Sequence, residues 1–262
     1  MKKEMYIKFG ELLGKSWKEY RANFTFILKV FLVLAAIPAL ILFFNPNIIY
    51  LNNSLKIGSV QQIRDLGAIT ISSILFLSLI ANVFSVLMKA TFISAFMSKK
   101  TPEKASAAIR EGLNYLLRLI GLIVITVLAL IPLYLLLIIP GIIFTVYWAF
   151  SAYVLIGEKR GIIESLRHSF YLVKGRWWRV FGYFLLIILT FICVALLITI
   201  PSFIITKLIS LVSGKGIIYG LVSEIISLGV ALITTPLLII FMKNFYTDLR
   251  ARDKTWKTKM SR

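Results

Sequence analysis

From Leu119 to Gly157 the chain carries no charged side chain. One straight helix over this run would be about 58 Å long at 1.5 Å per residue, nearly twice the roughly 30 Å of a bilayer's hydrocarbon core. Ile139-Pro140-Gly141-Ile142 offers an exit. Proline suits the second position of a type II turn, and glycine supplies the positive φ of the third. A hairpin with spans at Leu119–Ile139 and Ile142–Gly157 is therefore expected. The alternative is one proline-kinked span, which would carry the basic stretch Lys159–Arg179 to the side opposite the other basic loops. The second arm is short, which leaves local bilayer thinning or a re-entrant path open for it.

A spanning helix needs roughly 20 mostly apolar residues. Four further stretches qualify: Phe24–Phe44, Gly67–Met88 with the helix continuing to Met97, Val180–Ile200 and Ile217–Met242. The first is read as a retained span and not a cleavable signal, because its apolar core is long and an amphipathic segment precedes it. Composition agrees. Hydrophobic residues make up 59% and charged ones 16%, where a soluble domain has roughly 45–50% and about 25%. Surface-to-volume scaling excludes a soluble monomer with that much apolar surface, and the same surface excludes a disordered chain.

The net charge of +19 must be kept away from the spans. Of the 30 Lys and Arg residues, all but Lys56, Arg64, Lys207 and Lys215 fall on one side of a six-span arrangement, if Lys29 snorkels back from the first span. The positive-inside rule makes that side cytoplasmic, with both termini there, and the expected location is the cell membrane. Because the charges track the topology and form no single basic domain, nucleic acid is not an expected partner. Anionic membrane lipids are, at about 1 kcal/mol of attraction per basic residue near the surface. A protein partner or a homo-oligomer is a further expectation.

Each pair of spans follows an amphipathic segment. In the first, Phe9, Leu12, Leu13, Trp17, Tyr20 and Phe24 share a face opposite Lys8, Glu11, Lys15, Lys18 and Glu19. In the second, Thr101 is the expected N-cap and Pro102 the first-turn residue, with Ala108, Ile109, Leu113 and Leu116 as the apolar face. In the third, Ile162, Ile163, Leu166, Phe170, Val173 and Trp177 form the stripe, with Glu164, Arg167, His168 and Lys174 polar. Glu11-x-Leu13-x-x-Ser16 echoes Glu164-x-Leu166-x-x-Ser169 between the first and third units. The expected fold class is thus all-α integral membrane: six transmembrane helices with three cytoplasmic amphipathic interfacial helices. Residues 1–252 form one polytopic domain, and 253–262 a basic tail.

Ile138–Phe144 (IIPGIIF), Tyr153, Glu158-Lys159-Arg160-Gly161, Ile162–Gly175 (IIESLRHSFYLVKG) and Arg176–Arg179 (RWWR) stand in that order. This succession resembles the six-helix membrane domain that some bacterial glycerophosphodiester phosphodiesterases carry beside their catalytic barrel, a domain with stand-alone bacterial and archaeal relatives. The resemblance is best over Leu119–Leu186. It implies a six-helix membrane fold and a place near lipid metabolism. The phosphodiesterase activity does not carry over, since the barrel's paired histidines and acidic metal ligands have no counterpart in a chain with one histidine.

Glu224 is the most pointed residue, about two turns inside the last span. An ionisable group at depth is by default a functional candidate. It stands for a proton- or cation-coupled site or a headgroup contact, or else for a carboxyl near the outer interface paired with Lys207, Lys215 or a serine. Ser223, Ser227, Ala231 and Thr235 recur every fourth residue on the same span, a ridge suited to close helix packing in lipid. Ser78, Asn82, Ser85 and Lys89 form a polar stripe on the second span, with Asn82 expected to hydrogen-bond a neighbouring helix. Pro38, Pro132 and Pro236 are tolerated within spans, usually as kinks. Ser202–Ser213 reads as a short interfacial helix or an extension of the fifth span. Trp177 and Trp178 between Arg176 and Arg179 fit an aromatic belt with basic anchors. With Arg167 and Lys174 they are the candidate headgroup contacts. His168 is expected to be solvated and Cys193 to be a buried thiol. A single cysteine excludes an intrachain disulfide and a cysteine-rich metal site, and no cofactor motif appears.

Three function classes follow. The first is a non-enzymatic accessory or scaffolding membrane protein, acting on an anionic lipid environment or with an envelope or lipid-metabolism partner. The second is a small transporter or lipid-translocating protein using the polar faces of the second and sixth spans. The third, an intramembrane enzyme, lacks a visible pair of converging ionisable groups.

Overall fold

The computed structural model describes residues 7–36, 38–39, 68–98, 104–213 and 217–252. Of the described residues, 91% are helical and none lies in a strand. Helix α1 (Phe9–Ala22) runs through Asn23 into α2 (Phe24–Phe31) and a π-helical turn at Leu32–Ala36. Then come α3 (Ala68–Met97), α4 (Ala105–Leu136), α5 (Ile138–Trp148) and α6 (Ser151–Gly157). Helices α7 (Ile162–Val173), α8 (Trp177–Ser213) and α9 (Ile217–Ala251) complete the order.

Among the described residues, five segments are long and apolar enough to cross a bilayer: Leu75–Met97, Ala105–Leu136, Ile138–Gly157, Trp177–Pro201 and Glu224–Ala251. The expected first span is seen as a shorter apolar helix over Phe24–Ala36. Most of its remainder lies outside the described residues, as do Thr101, Pro102, Lys56, Arg64, Lys215 and the tail 253–262.

The hairpin forms, but its turn is not where Pro140-Gly141 suggested. Helix α4 stops at Leu136, Leu137 is extended (φ −157°, ψ 129°), and α5 begins at Ile138. Pro140 therefore sits in the first turn of α5, where the backbone N–H has no helical acceptor to lose. Gly141 lets the arms close: a Cβ there would lie 2.5 Å from the Tyr134 ring. The Tyr134 and Thr145 hydroxyls meet at 2.8 Å across the two arms.

Two amphipathic segments differ from expectation. The second is no separate helix, since α4 runs unbroken from Ala105 into the span. Its buried line is Ala108, Gly112, Tyr115, Leu119 and Leu122, while Leu113 is exposed. Gly112 decides this face: a Cβ there would lie 2.9 Å from the Thr91 backbone, so α4 turns glycine, not leucine, toward α3. In α7 the buried residues are Ser165, Leu166, Ser169, Leu172 and Val173, with Ile163 exposed. Serine replaces bulk because α7 lies close against the broken span α5–α6. The helix is interrupted at Ala149-Phe150. There Ser169 Oγ donates to Tyr147 O at 2.7 Å and accepts from Phe150 N at 3.1 Å, replacing bonds the helix has lost.

Contacts gather Glu19, Met97, Gly157, Arg176 and Tyr246 at one end of the bundle. The large fully buried side chains cluster toward it, among them Phe92, Phe150, Phe241 and Tyr246. Helix α8 instead turns Leu189, Ile192, Leu196 and Leu197 outward, as lipid allows and water would not. Cys193 shares that outer side and is exposed, not buried. Helix α8 also settles the Ser202–Ser213 question, since it continues unbroken to Ser213.

Candidate functional site

The last three turns of α9 receive polar groups from three separate parts of the chain. From the α6–α7 loop comes Glu158, whose side chain is only 3% exposed. Its carboxylate accepts a short hydrogen bond from the Tyr246 hydroxyl and a 2.8 Å bond from Arg160 Nε. Arg250 Nε lies 3.4 Å away and His168 Nδ1 3.5 Å away. From α1 comes Glu19, which holds Lys243 Nζ at 2.6 and 2.8 Å and accepts from Asn244 Nδ2 at 3.1 Å. Asn244 Nδ2 also donates to the buried Ser16 Oγ at 3.2 Å. From the start of α8 comes Arg176, which donates to Leu249 O and Arg252 O at 3.3 and 3.2 Å. It caps carbonyls at the end of the helix, where Leu249 O also accepts from Arg252 N at 3.3 Å, and its charge suits the negative pole of the helix dipole. Arg252 is itself fixed by Asp248 at 2.9 Å.

A fourth tie follows from proline chemistry. Pro236 lies inside α9. It has no N–H, so the carbonyl of Leu232, four residues back, loses its helical donor. Tyr20 supplies one, its hydroxyl reaching Leu232 O at 3.4 Å. Burial raises the Tyr20 pKa above the ordinary phenol value, so it remains a donor at neutral pH.

The sequence-selected residues fall into three groups. Arg176 and Trp177 point partly inward: Trp177 Nε1 donates to Ile143 O at 3.3 Å, and its ring stacks on Phe181 at 4.8 Å. Arg167, Lys174, Trp178 and Arg179 are exposed, Trp178 at 79%. Glu224 is half-buried and has no hydrogen bond or ion pair among the described residues. Ser78 and Ser227 are exposed, Ser85 is half-buried, and the side chain of Ser223 lies outside the described residues. Asn82 does not bond a neighbouring helix. Its Nδ2 donates to Ser78 O at 2.8 Å, one turn back on its own helix, because its side of α3 is exposed. Asn82 and Glu224 are not joined by any described bond.

His168 is not solvated. Its Nδ1 is buried and faces Glu158. Glu158 itself was missed by sequence reasoning. The available signal was scarcity: with 11 acidic against 30 basic residues, an acid inside a basic loop is surrounded by candidate partners. Among the described residues no group of three or more His, Cys, Asp or Glu could hold a metal ion.

Comparison with protein-family models, curated proteins and solved structures finds no match. The class is therefore defined by the chain alone: five long apolar helices indicate a multi-pass helical membrane protein.

Proposed function

We propose that this protein is a non-enzymatic accessory or scaffolding component whose basic end rests on the anionic cytoplasmic leaflet of the cell membrane. The observation that carries this reading is a division among the charges at that end. Glu19, Glu158 and Asp248 are committed to internal partners, which leaves Glu11, Glu111 and Glu164 as the other described acids of that end, fewer than the cations around them. Lys15, Lys18, Arg21, Arg110, Arg118, Arg167 and Lys174 are exposed. Acidic headgroups are the counter-charge a membrane supplies to such a surface. Trp17 and Trp178, both exposed, fit the headgroup level. The resemblance to the phosphodiesterase membrane domain favours the same setting, with an envelope or lipid-metabolism protein, or a second copy of the chain, as partner.

The test is thermal unfolding of the full chain in neutral detergent micelles doped with phosphatidylglycerol or phosphatidylcholine. Phosphatidylglycerol is expected to raise the unfolding midpoint more, and 0.5 M salt to erase much of the difference, because exposed charges are screened within about 10 Å already at 0.1 M. Equal effects of the two lipids would overturn the reading.

A further inference from the structure

The junction of α1 and α2 presents three cations with no partner among the described residues. Lys18 and Arg21 are exposed and line a surface depression with Trp17 and Ala22. Lys29 is exposed on α2, within the apolar run FTFILKVF. None of the three makes a hydrogen bond or ion pair among the described residues. The acid between Lys18 and Tyr20 does not neutralise them, for Glu19 is turned to Lys243 and Asn244.

The backbone keeps these cations in line. Asn23 N donates to Glu19 O, and Ile27 N to Asn23 O, so two helical bonds bridge the single turn residue Asn23 between α1 and α2. Residues three to four apart on a helical ladder share a side. Lys18, Arg21, Ala22, Thr25 and Lys29 follow that spacing, and all five are exposed. The track thus begins in a basic amphipathic helix and ends inside an apolar one. An ammonium group on the lipid side of an apolar helix is costly unless it reaches the interface or meets an anion. Trp17 closes the depression as a flat wall, its ring stacked on Tyr20 at 5.4 Å and 13°. Phe24 between the cations, and Leu32 and Val33 beyond them, are exposed, which gives an apolar flank where a free anion would have nothing to bury.

We propose that this junction binds the phosphate of an anionic phospholipid headgroup, with the acyl chains along Phe24, Leu32 and Val33. The proposal rests on the reading that the basic end meets an anionic leaflet, and it adds a discrete place where one lipid is held.

The experiment is native mass spectrometry of the full chain in neutral micelles titrated with phosphatidylglycerol, phosphatidylcholine or inorganic phosphate. Lys18→Gln, Arg21→Gln and Lys29→Met are compared with Arg110→Gln on α4. Each junction variant is expected to weaken phosphatidylglycerol binding about fivefold, the equivalent of about 1 kcal/mol per basic residue. Lys29→Arg is expected to bind as the parent does, Arg110→Gln to lose clearly less than any junction variant because Arg110 acts only through the general charge of the surface, and millimolar inorganic phosphate to displace nothing; a loss for Arg110→Gln equal to that of the junction variants would also overturn the junction site. If Lys29→Met fails to fold, the exposed Lys18 and Arg21 variants decide. Parent-like binding by the junction variants, in a protein that still prefers phosphatidylglycerol, would overturn the junction site and leave the leaflet reading standing. Displacement by inorganic phosphate would overturn the lipid assignment. No preference for phosphatidylglycerol in the parent would overturn both.

Discussion

Replacing Glu158 with glutamine tests whether the cluster at the end of α9 holds the bundle together. Glutamine keeps the shape and one carbonyl oxygen, so the Tyr246 hydroxyl retains an acceptor. What is lost is the charge facing Arg160, Arg250 and His168. Removing one partner of a fully buried ion pair costs about 3–5 kcal/mol. The cations here are less enclosed, with the Arg160 and Arg250 side chains 34% and 29% exposed. They can recover part of their hydration, and exposed pairs are worth only about 0–1 kcal/mol. The expected loss for Glu158→Gln is therefore about 2 kcal/mol, between those limits. Glu158→Ala should cost roughly 1 kcal/mol more, because the buried Tyr246 hydroxyl then has no acceptor. Reversible unfolding by SDS in mixed micelles, followed by tryptophan fluorescence, measures both. Tyr246→Phe completes the cycle and should cost little in the Glu158→Ala background. A Glu158→Gln protein within about 0.5 kcal/mol of the parent, the range of an ordinary surface substitution, would refute the reasoning, and so would strict additivity with Tyr246→Phe.

Three further perturbations probe other parts of the argument. Gly112→Val should destabilise by about 1–3 kcal/mol through overpacking, since even its Cβ would lie 2.9 Å from the Thr91 backbone; a parent-like unfolding midpoint would show that α3 and α4 do not pack this way. Tyr20→Phe should cost about 1 kcal/mol by leaving Leu232 O without a donor, and the loss should shrink in a Pro236→Ala background, where the helix supplies its own N–H; an equal loss in both would sink the proline argument. Lys159→Gly should stabilise by up to about 1 kcal/mol, because an L-residue is disfavoured in the left-handed region and Lys159 sits at φ 56° with its side chain exposed. A lower melting temperature would contradict that prediction.

What the sequence revealed, and what it concealed, divides by the range of the interaction. Apolar length and helical period are local, so the long helices and the hairpin between α4 and α5 were legible. The position of the turn was not. The Pro-Gly pair fits a turn and a first helical turn equally well, and the choice belongs to the packing of Gly141 on Tyr134. The apolar stripes of α4 and α7 misled for a related reason. Periodicity identifies a hydrophobic face, but close approach of two helices rewards small residues, and so Gly112, Ser165 and Ser169 are buried while Leu113 and Ile163 are not. The candidate site was the least legible part. Tyr246 meets Glu158 from 88 residues away, and Lys243 meets Glu19 from 224. No local pattern records such pairings. Glu224 and Asn82 stood out in the sequence only because polar residues are rare in spans.

The scarcity of acids joins the fold to the proposed function. A chain at +19 that places Lys243, Arg250 and Arg252 in partly buried positions at one end must find them counter-charges. It does so with Glu19, Glu158 and Asp248, which leaves the exposed cations of that end in excess over the described acids beside them. A charge swap separates this account from one in which shape alone docks α1 on α9. Glu19→Lys sets two ammonium groups against each other where the parent has a 2.6 Å ion pair, and should cost about 3 kcal/mol, the low end for an unpaired charge in a buried pair. Lys243→Glu should do comparable harm by opposing two carboxylates. In the double variant the pair is restored with reversed polarity, and Asn244 can turn its amide oxygen toward the new lysine. At least half of the summed loss should return, and the net charge is unchanged. If the double variant is as unstable as the two singles added together, the docking of α1 depends on the detailed shape around Ser16 and Asn244, and acid scarcity ceases to explain which cations face outward.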